Sequence, residues 1–487
     1  MTIEDTTEET LSAITKAQTT GILESTGAYS YDLTGIIRLI PVVTPFRDKV
    51  PRVSSPNGSP FAIWRAFVDV TRSQPRATPG WDYAGAEVLF SEQDFQAAYQ
   101  PIALAGLVTQ DSFDVAKGLY DPYAEATMQV LNQTMIAEDK LLLGGQTYAL
   151  SQPGAVTLAA LTTGGSIALS TAVFVGVAAR TGSGYFWGGN SRGASANVTT
   201  GSGTSTNSVT ASIAAVKGAV AYDWFTSTNG TTWYYRSTTT IASTTITSHV
   251  AANGVPNSFA NADISSWAPT FNGAADNGSA NSSETNGLIA TITGDYTGAG
   301  VFTTAGTGAA NGAVWVDGGG AALTLSGGSV LQITNLFAAL WNSIKCSPTA
   351  IMVNAVQAQE IANLVLGSNG ATTFLTTDEA NRISTTAGGR VGSIINTPAG
   401  GISVPIEVHT SLPAGTIIAR TDRVPFPQAN ISTTLQVRTL RDYSQFDYAT
   451  SRTTAQGGGP RKEFEIRSVQ TLINSAPVAF GILTNIS

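Results

Sequence analysis

The sequence predicts an α+β protein with an all-β, sandwich-like segment inserted in its middle. Three observations lead there. A strongly capped helical stretch stands in the first third of the chain. Residues 155–328 hold only four Lys/Arg and six Asp/Glu, and they alternate apolar with small polar residues. Strand and helix patterns then intermingle from residue 329 to residue 487. At 487 residues the chain exceeds one ordinary domain and is long enough to bury a sizeable core.

Composition removes several classes. Hydrophobic residues make up 42% and charged residues 12%, about half the ~25% charge usual in soluble chains. A disordered chain needs low hydrophobicity and high net charge. A basic nucleic-acid binder needs a Lys/Arg excess, whereas here the net charge is −8. Few charges among many Ala, Gly, Ser and Thr fit uncharged β surfaces or surfaces buried by association. The single Cys346 excludes an intramolecular disulfide framework and a Cys-rich metal site, and it reads as a small buried hydrophobe. The acidic, polar start carries no basic-then-apolar leader, so no secretory signal is expected. No run of ~18 strongly apolar residues occurs, so no membrane helix is expected.

The elements follow in order. Residues 61–107 form a β-rich stretch. Ala62 to Val70 reads as a strand, the proline-containing segment 73–80 as its loose tip, and Trp81 to Phe90 as the returning strand. The best helix spans Pro122 to Leu143, 22 residues and about 33 Å at ~1.5 Å per residue. Asp121 is its capping acid, Pro122 takes the first helical position, and Gly144-Gly145 supplies the stop. In the middle segment Val173, Val175 and Val177 alternate, as do Val209, Ala211 and Ile213, and Val220, Tyr222 and Trp224. Asn229-Gly230 between aromatic alternating runs is a strong hairpin signal. The stretch 155–250 is therefore read as the sandwich, and 251–328 as loops or added strands. Beyond it, Leu331 to Trp341 has helical spacing and Ala350 to Val353 is a short buried strand. Asn354 then caps a helix running to Leu366. Strands follow at Ile402 to Val408, Thr416 to Ala419, Thr434 to Leu440 and Glu463 to Val469.

The search for chemistry is negative. The two histidines, His249 and His409, belong to no HExxH or His–Cys cluster. No GxSxG elbow and no GxxxxGK[ST] loop occurs. No catalytic residue, metal site or cofactor is therefore assigned. Glu138 and Asp139 are adjacent on the long helix, point in different directions, and are read as solvated charges or as salt-bridging groups between subunits. His409 reads as a structural residue at a strand end. Arg outnumbers Lys 18 to 7, which suits bidentate contacts across interfaces.

The order of these features resembles a known family. Val43-Thr44-Pro45-Phe46 with Lys49-Val50-Pro51-Arg52 looks like the end of an N-terminal arm, and Trp64-Arg65 leads into an extended loop. The helix ending Ile136 to Gly144, the turn Gln152-Pro153-Gly154 and the run Ala350 to Asn354 follow. Leu412 to Ile418, Phe464 to Arg467 and Pro477 to Ile486 complete the series. Together they resemble the major capsid proteins of tailed bacteriophages, the Hong Kong 97-type fold. The resemblance covers about 300 residues.

It implies the following layout: an N-terminal arm over 1–60, an extended loop over 61–107, and a peripheral domain over 108–154 with its spine helix at 122–143. An inserted immunoglobulin- or fibronectin type III-like domain would span 155–328. An axial domain would span 329–430, with returning peripheral strands over 431–487. It implies a non-enzymatic structural protein that self-assembles as pentamers and hexamers into an icosahedral head around double-stranded DNA. Its partners would be further copies, portal and scaffold or protease proteins in trans, and DNA contacted non-specifically, with no membrane partner. The location would be the virion, after assembly in the host cytoplasm. Expected inter-subunit contacts are Trp64, Arg65, Arg72, Arg76 and Trp81, and Asp121 with Pro122 caps the spine helix. Residues 61–100 contain no Lys, so the covalent cross-link some members form is not expected. Other readings from the sequence are an encapsulin-like shell enclosing an enzyme, and a β-rich carbohydrate-binding or hydrolysing protein.

Overall fold

The computed structural model describes residues 43–55, 58–69, 91–116, 121–231, 233–248, 278–281, 283–296, 302–303, 313–326, 328–368, 373–377, 383–387, 391–424, 433–448 and 461–487. All belong to the unit Val42–Ser487, while the unit Met1–Pro41 lies outside them.

The N-terminal part begins with a tight turn over residues 44–50, whose Phe46 is fully buried. Strand β1 (Arg52–Ser54) follows. Strands β2 (Phe61–Asp69) and β3 (Ser91–Ala98) pair antiparallel, with Phe61 opposite Ala98 and Trp64 opposite Phe95. The described returning strand thus lies at 91–98, and the expected return over 81–90 falls outside the described residues. Strand β4 (Gln100–Thr109) is not part of this hairpin, because it joins another sheet. The extended-loop reading of 61–107 therefore runs about a strand too far.

A short helix α1 (Gln110–Ala116) leads to the spine helix α2 (Pro122–Gly144). Asp121 Oδ1 accepts from the amides of Tyr123 at 2.9 Å and Ala124 at 3.4 Å, and Pro122 opens the helix as its sequence predicts. The stop is different from the expected left-handed glycine. Gly145 has φ −55°. A Cβ there would meet Thr285 O at 2.2 Å, and one on Gly144 would meet the Gly182 backbone at 2.9 Å. These glycines are required because two other segments press on the helix end.

Seven strands follow: β5 (Thr157–Leu161), β6 (Ala172–Arg180), β7 (Ala194–Thr199), β8 (Ser208–Ser212), β9 (Ala221–Ser227), β10 (Tyr234–Thr239) and β11 (Ser243–Ile246). Helix α3 (Gly182–Trp187) lies between β6 and β7. The strands form a four-stranded sheet, β10-β9-β6-β7, and a three-stranded sheet, β11-β8-β5. The alternating residues Val173, Val175, Val177, Val209, Ala211, Tyr222 and Trp224 meet in one buried cluster. Asn229-Gly230 lies in the connection between the antiparallel strands β9 and β10, with Gly230 at φ +73°.

The rest of the middle segment does not stand apart. Helix α4 (Leu288–Thr293) buries Leu288, Ile289 and Ile292 in the same cluster as Phe46, Leu142 and Phe480. Strand β12 (Val314–Asp317) pairs parallel with β19 (Gly481–Thr484). An insertion ending at 328 would include both; the strands of the two-sheet segment run from 157 to 246, and Val220 within it is buried in the cluster of Phe46 and Leu142. The missed signal is the apolar run Leu288 to Ile292, too short to separate from a loop strand by periodicity.

Helices α5 (Leu331–Ile344) and α6 (Ala355–Ser368) flank β13 (Ala350–Val353). Asn354 Oδ1 accepts from Val356 N at 3.0 Å, at the start of α6. Strands β14 (Ser393–Asn396), β15 (Ile402–Val408) and β16 (Ile417–Arg420) complete a six-stranded sheet in the order β12-β19-β16-β13-β15-β14. Strand β19 closes this sheet rather than the peripheral one expected for 431–487.

The last pair, β17 (Leu435–Tyr448) and β18 (Arg461–Asn474), is a ribbon of two 14-residue strands. It makes the sheet β1-β17-β18-β4, with β1 parallel to β17. Phe464 and Ile466 on one face of β18 pack with Tyr123, Val130 and Leu131 of α2.

The cap assignment has a direct test. Asp121→Ala should cost about 1 kcal/mol of unfolding free energy. Chemical denaturation checks it, and an unchanged midpoint would contradict the assignment.

Candidate functional site

Two parts of the molecule hold its candidate functional geometry. One is a buried anchor where the turn over 44–50 meets helix α2. The other is a set of faces left open around it.

The anchor is built on Glu138 and Asp139, both fully buried. This corrects the expectation of solvated or inter-subunit charges. Adjacent helical residues do point apart, but the last turns of α2 are covered on both sides. On one side Glu138 accepts from Arg47 Nε at 2.6 Å and Gln470 Nε2 at 2.6 Å, and also from Arg52 Nη1 and the Tyr443 hydroxyl. On the other, Asp139 Oδ1 accepts from the amides of Phe46 at 3.1 Å and Arg47 at 2.9 Å. Two acids thus fix one arm turn against α2, β17 and β18. Arg47 and Arg52 also stand over the Tyr443 ring, at 5.5 and 5.4 Å.

Electrostatics follow from this burial. Burial pushes the Asp139 carboxyl above its ordinary value, against the pull of the Arg47 and Phe46 amides. Burial raises the Tyr443 hydroxyl, and the neighbouring Glu138 charge raises it further. Burial would lower the Arg47 guanidinium, but its hydrogen bond and charge contact with Glu138 reverse the direction and raise it. Cys346 is buried as expected, its thiol pushed up by burial to about 11.

A second charged group ties the arm to the six-stranded sheet. Lys49 Nζ lies 2.7 Å from Glu407 Oε1, and Arg420 Nη2 lies 3.5 Å from the same oxygen. His409, buried at the end of β15 as the sequence suggests, stands 3.7 Å from Glu407 Oε2, with its ring edge toward Phe46. Burial would raise the Glu407 carboxyl. Its contacts with His409, Lys49 and Arg420 outweigh that and hold it at about 2.

Of the expected inter-subunit residues, Trp64 is committed within the chain. It is 7% exposed, packs 5.9 Å from Phe95, and donates from Nε1 to Asn474 O at 3.1 Å. It fixes the hairpin base to β18. Arg65 is on the opposite, exposed face of β2. Phe61 and Ile63 share that face, 46% and 62% exposed. The sequence reading missed them because Phe61 to Trp64 is a continuous apolar run, which does not show which side of a strand is buried. Arg72, Arg76 and Trp81 lie outside the described residues. A second open face is the side of the β4–β18–β17 sheet away from α2. There Leu107, Phe446 and Tyr448 are 51%, 36% and 37% exposed on neighbouring register positions. Among the described residues no group of three or more His, Cys, Asp or Glu is placed to hold a metal. No helix among them is long and apolar enough to cross a membrane.

No family model and no curated protein matches the chain. Among solved structures, a chain of the cyanophage A-1(L) capsid asymmetric unit is similar over 95% of this chain and 97% of its own, at 9% identity and a TM-score of 0.45. A capsid chain of the native GTA particle is similar over 96% and 97%, at 9% identity and a TM-score of 0.41. The SrpI encapsulin of Synechococcus elongatus is similar over 97% and 95%, at 8% identity and a TM-score of 0.36.

The Glu407 cluster predicts a pH dependence. A folded carboxyl at about 2 against an ordinary 4.5 adds stability that is complete above about pH 5. That contribution fades as pH falls toward 2, where the unfolded chain takes up the proton first. The stability difference between the wild type and Glu407→Gln should therefore shrink between pH 6 and pH 3 in urea titrations. A difference that stays constant would contradict the assigned interaction.

Proposed function

We propose that this chain is a structural major capsid protein. Its copies assemble as pentamers and hexamers into an icosahedral phage head enclosing double-stranded DNA. Function on this reading is assembly geometry and not chemistry. Portal and scaffold or protease proteins act in trans, packaged DNA is touched non-specifically, and the protein resides in the virion after assembly in the host cytoplasm. The two sheets over 157–246 project outward from the shell.

The observation that carries the reading is the two-faced hairpin. One face of β2 is spent inside the chain through Ala62, Trp64 and Ala66. The other presents Phe61 and Ile63 at 46% and 62% exposure. A two-stranded ribbon with an exposed apolar face is marginal alone in water and gains by covering that face. Low charge, 12% of residues, limits repulsion between identical copies that meet at many contacts. The order of arm, loop, spine helix and mixed terminal segment supports the same reading.

Negative-stain microscopy of the purified protein tests it, alongside the double variant Phe61→Ser/Ile63→Ser. Both positions are exposed, so monomer stability should move by no more than about 0.5 kcal/mol each. Wild type should form closed particles, and the variant should stop at capsomers or monomers. By contrast Trp64→Ala should lose about 3–5 kcal/mol of folding stability. A variant that closes particles as readily as wild type would refute the role of this face. Wild type that stays monomeric would refute the shell reading itself. Nucleic acid inside purified particles separates a phage head from an enzyme-enclosing shell.

A further inference from the structure

The two sheets over 157–246 are joined to the six-stranded sheet at a point the shell reading does not use. Residues 485–487 follow β19 directly. Asn485 is 5% exposed and adopts φ +61°, a left-handed conformation uncommon for a residue with a Cβ. Among non-glycine residues Asn tolerates that region best.

Its side chain spans two other segments. Asn485 Nδ2 donates to Asp317 Oδ1 at 2.6 Å, at the end of β12. Asn485 Oδ1 accepts from the Ala242 amide at 2.7 Å, in the β10–β11 turn. Backbone groups around it make the same two connections. The amides of Gly318 and Gly320 donate to Thr484 O at 2.8 Å and Asn485 O at 2.9 Å, and Thr240 Oγ1 donates to Ile486 O at 3.1 Å. Ile486 is fully buried in the cluster that includes Leu323, Val330 and Ile417. Gly415, at φ +74°, admits this arrangement, since a Cβ there would meet Thr240 Cβ at 2.8 Å and Ile486 O at 2.9 Å.

A left-handed residue held in place needs surroundings that over-determine it. Here both ends of one amide are satisfied, each by a different segment. We propose that Asn485 is a latch that locks the β10–β11 turn of the sandwich-like sheets to the β12–β19 edge of the six-stranded sheet. It thereby holds those sheets in one orientation on the body. Asp317 is its positioning partner, and Gly415 leaves the space. The inference rests on the protomer alone and stands whether or not the chain builds a shell.

Amide hydrogen exchange on the full-length protein tests it. Asn485→Gly keeps the left-handed backbone at no steric cost and removes only the amide. The decisive amides are Gly318 and Gly320, because their acceptors are backbone carbonyls that the substitution leaves in place. They should exchange about tenfold faster in the variant, the loss expected for a hydrogen-bonded clip. Amides within β6 and β13 should keep their wild-type rates. Asn485→Asp supplies an independent variant, because it still accepts from Ala242 but sets a carboxylate against Asp317. It should open the same amides, and adding Asp317→Asn should close them again. Unchanged rates at Gly318 and Gly320 in both single variants would overturn the latch. A uniform loss of protection that includes β6 and β13 would also overturn it, showing a general fold determinant in its place.

Discussion

Burying two adjacent carboxylates at the end of a long helix is the constraint on which the described structure turns. A buried charge is costly unless it is paired and hydrogen-bonded. Glu138 meets that demand with Arg47, Arg52, Tyr443 and Gln470, which come from the arm turn, β1, β17 and β18. Asp139 meets it in part, Oδ1 accepting from the Phe46 and Arg47 amides while burial still raises its carboxyl. No one of these segments could satisfy the acids alone. The arm end, the spine helix and the long ribbon must therefore arrive together. The parallel pairing of β1 with β17 sets Arg52 beside Glu138.

Around that anchor the chain leaves complementary faces. The sheet of β4 and the ribbon uses one face to cover α2 and presents Leu107, Phe446 and Tyr448 on the other. The hairpin likewise spends Trp64 inward and leaves Phe61 and Ile63 open. On the proposed reading these apolar outer faces are the surfaces that copies of the chain would cover.

Much of the fold was legible because its signals were local. Asp121-Pro122, Asn229-Gly230 and the alternating valines around Val175 each act within a few residues, and each forms the element it predicts. What was not legible depends on residues far apart in the chain. Glu138 and Asp139 look like ordinary exposed helix charges until partners over 90 and 300 positions away arrive. Leu288 to Ile292 lies in a stretch read as loops or added strands, yet it is a core helix packed in one cluster with Phe480 and Leu142. Strand β19 was assigned to the wrong sheet for the same reason, its partners β12 and β16 being set by tertiary packing. Of the expected contact residues, Trp64 and Arg65 were read alike from the sequence, whereas the structure puts them on opposite faces of β2 and covers only that of Trp64.

The most direct test of this account is the unfolding free energy of Glu138→Gln against wild type, measured by equilibrium denaturation at neutral pH. The substitution keeps the shape and most acceptors but leaves Arg47 and Arg52, mostly buried, without their shared charge. If the acid anchors the arm as described, the variant should lose about 3–5 kcal/mol, the cost typical of breaking a buried ion pair. A loss below about 1 kcal/mol, as an exposed pair would give, would contradict the account.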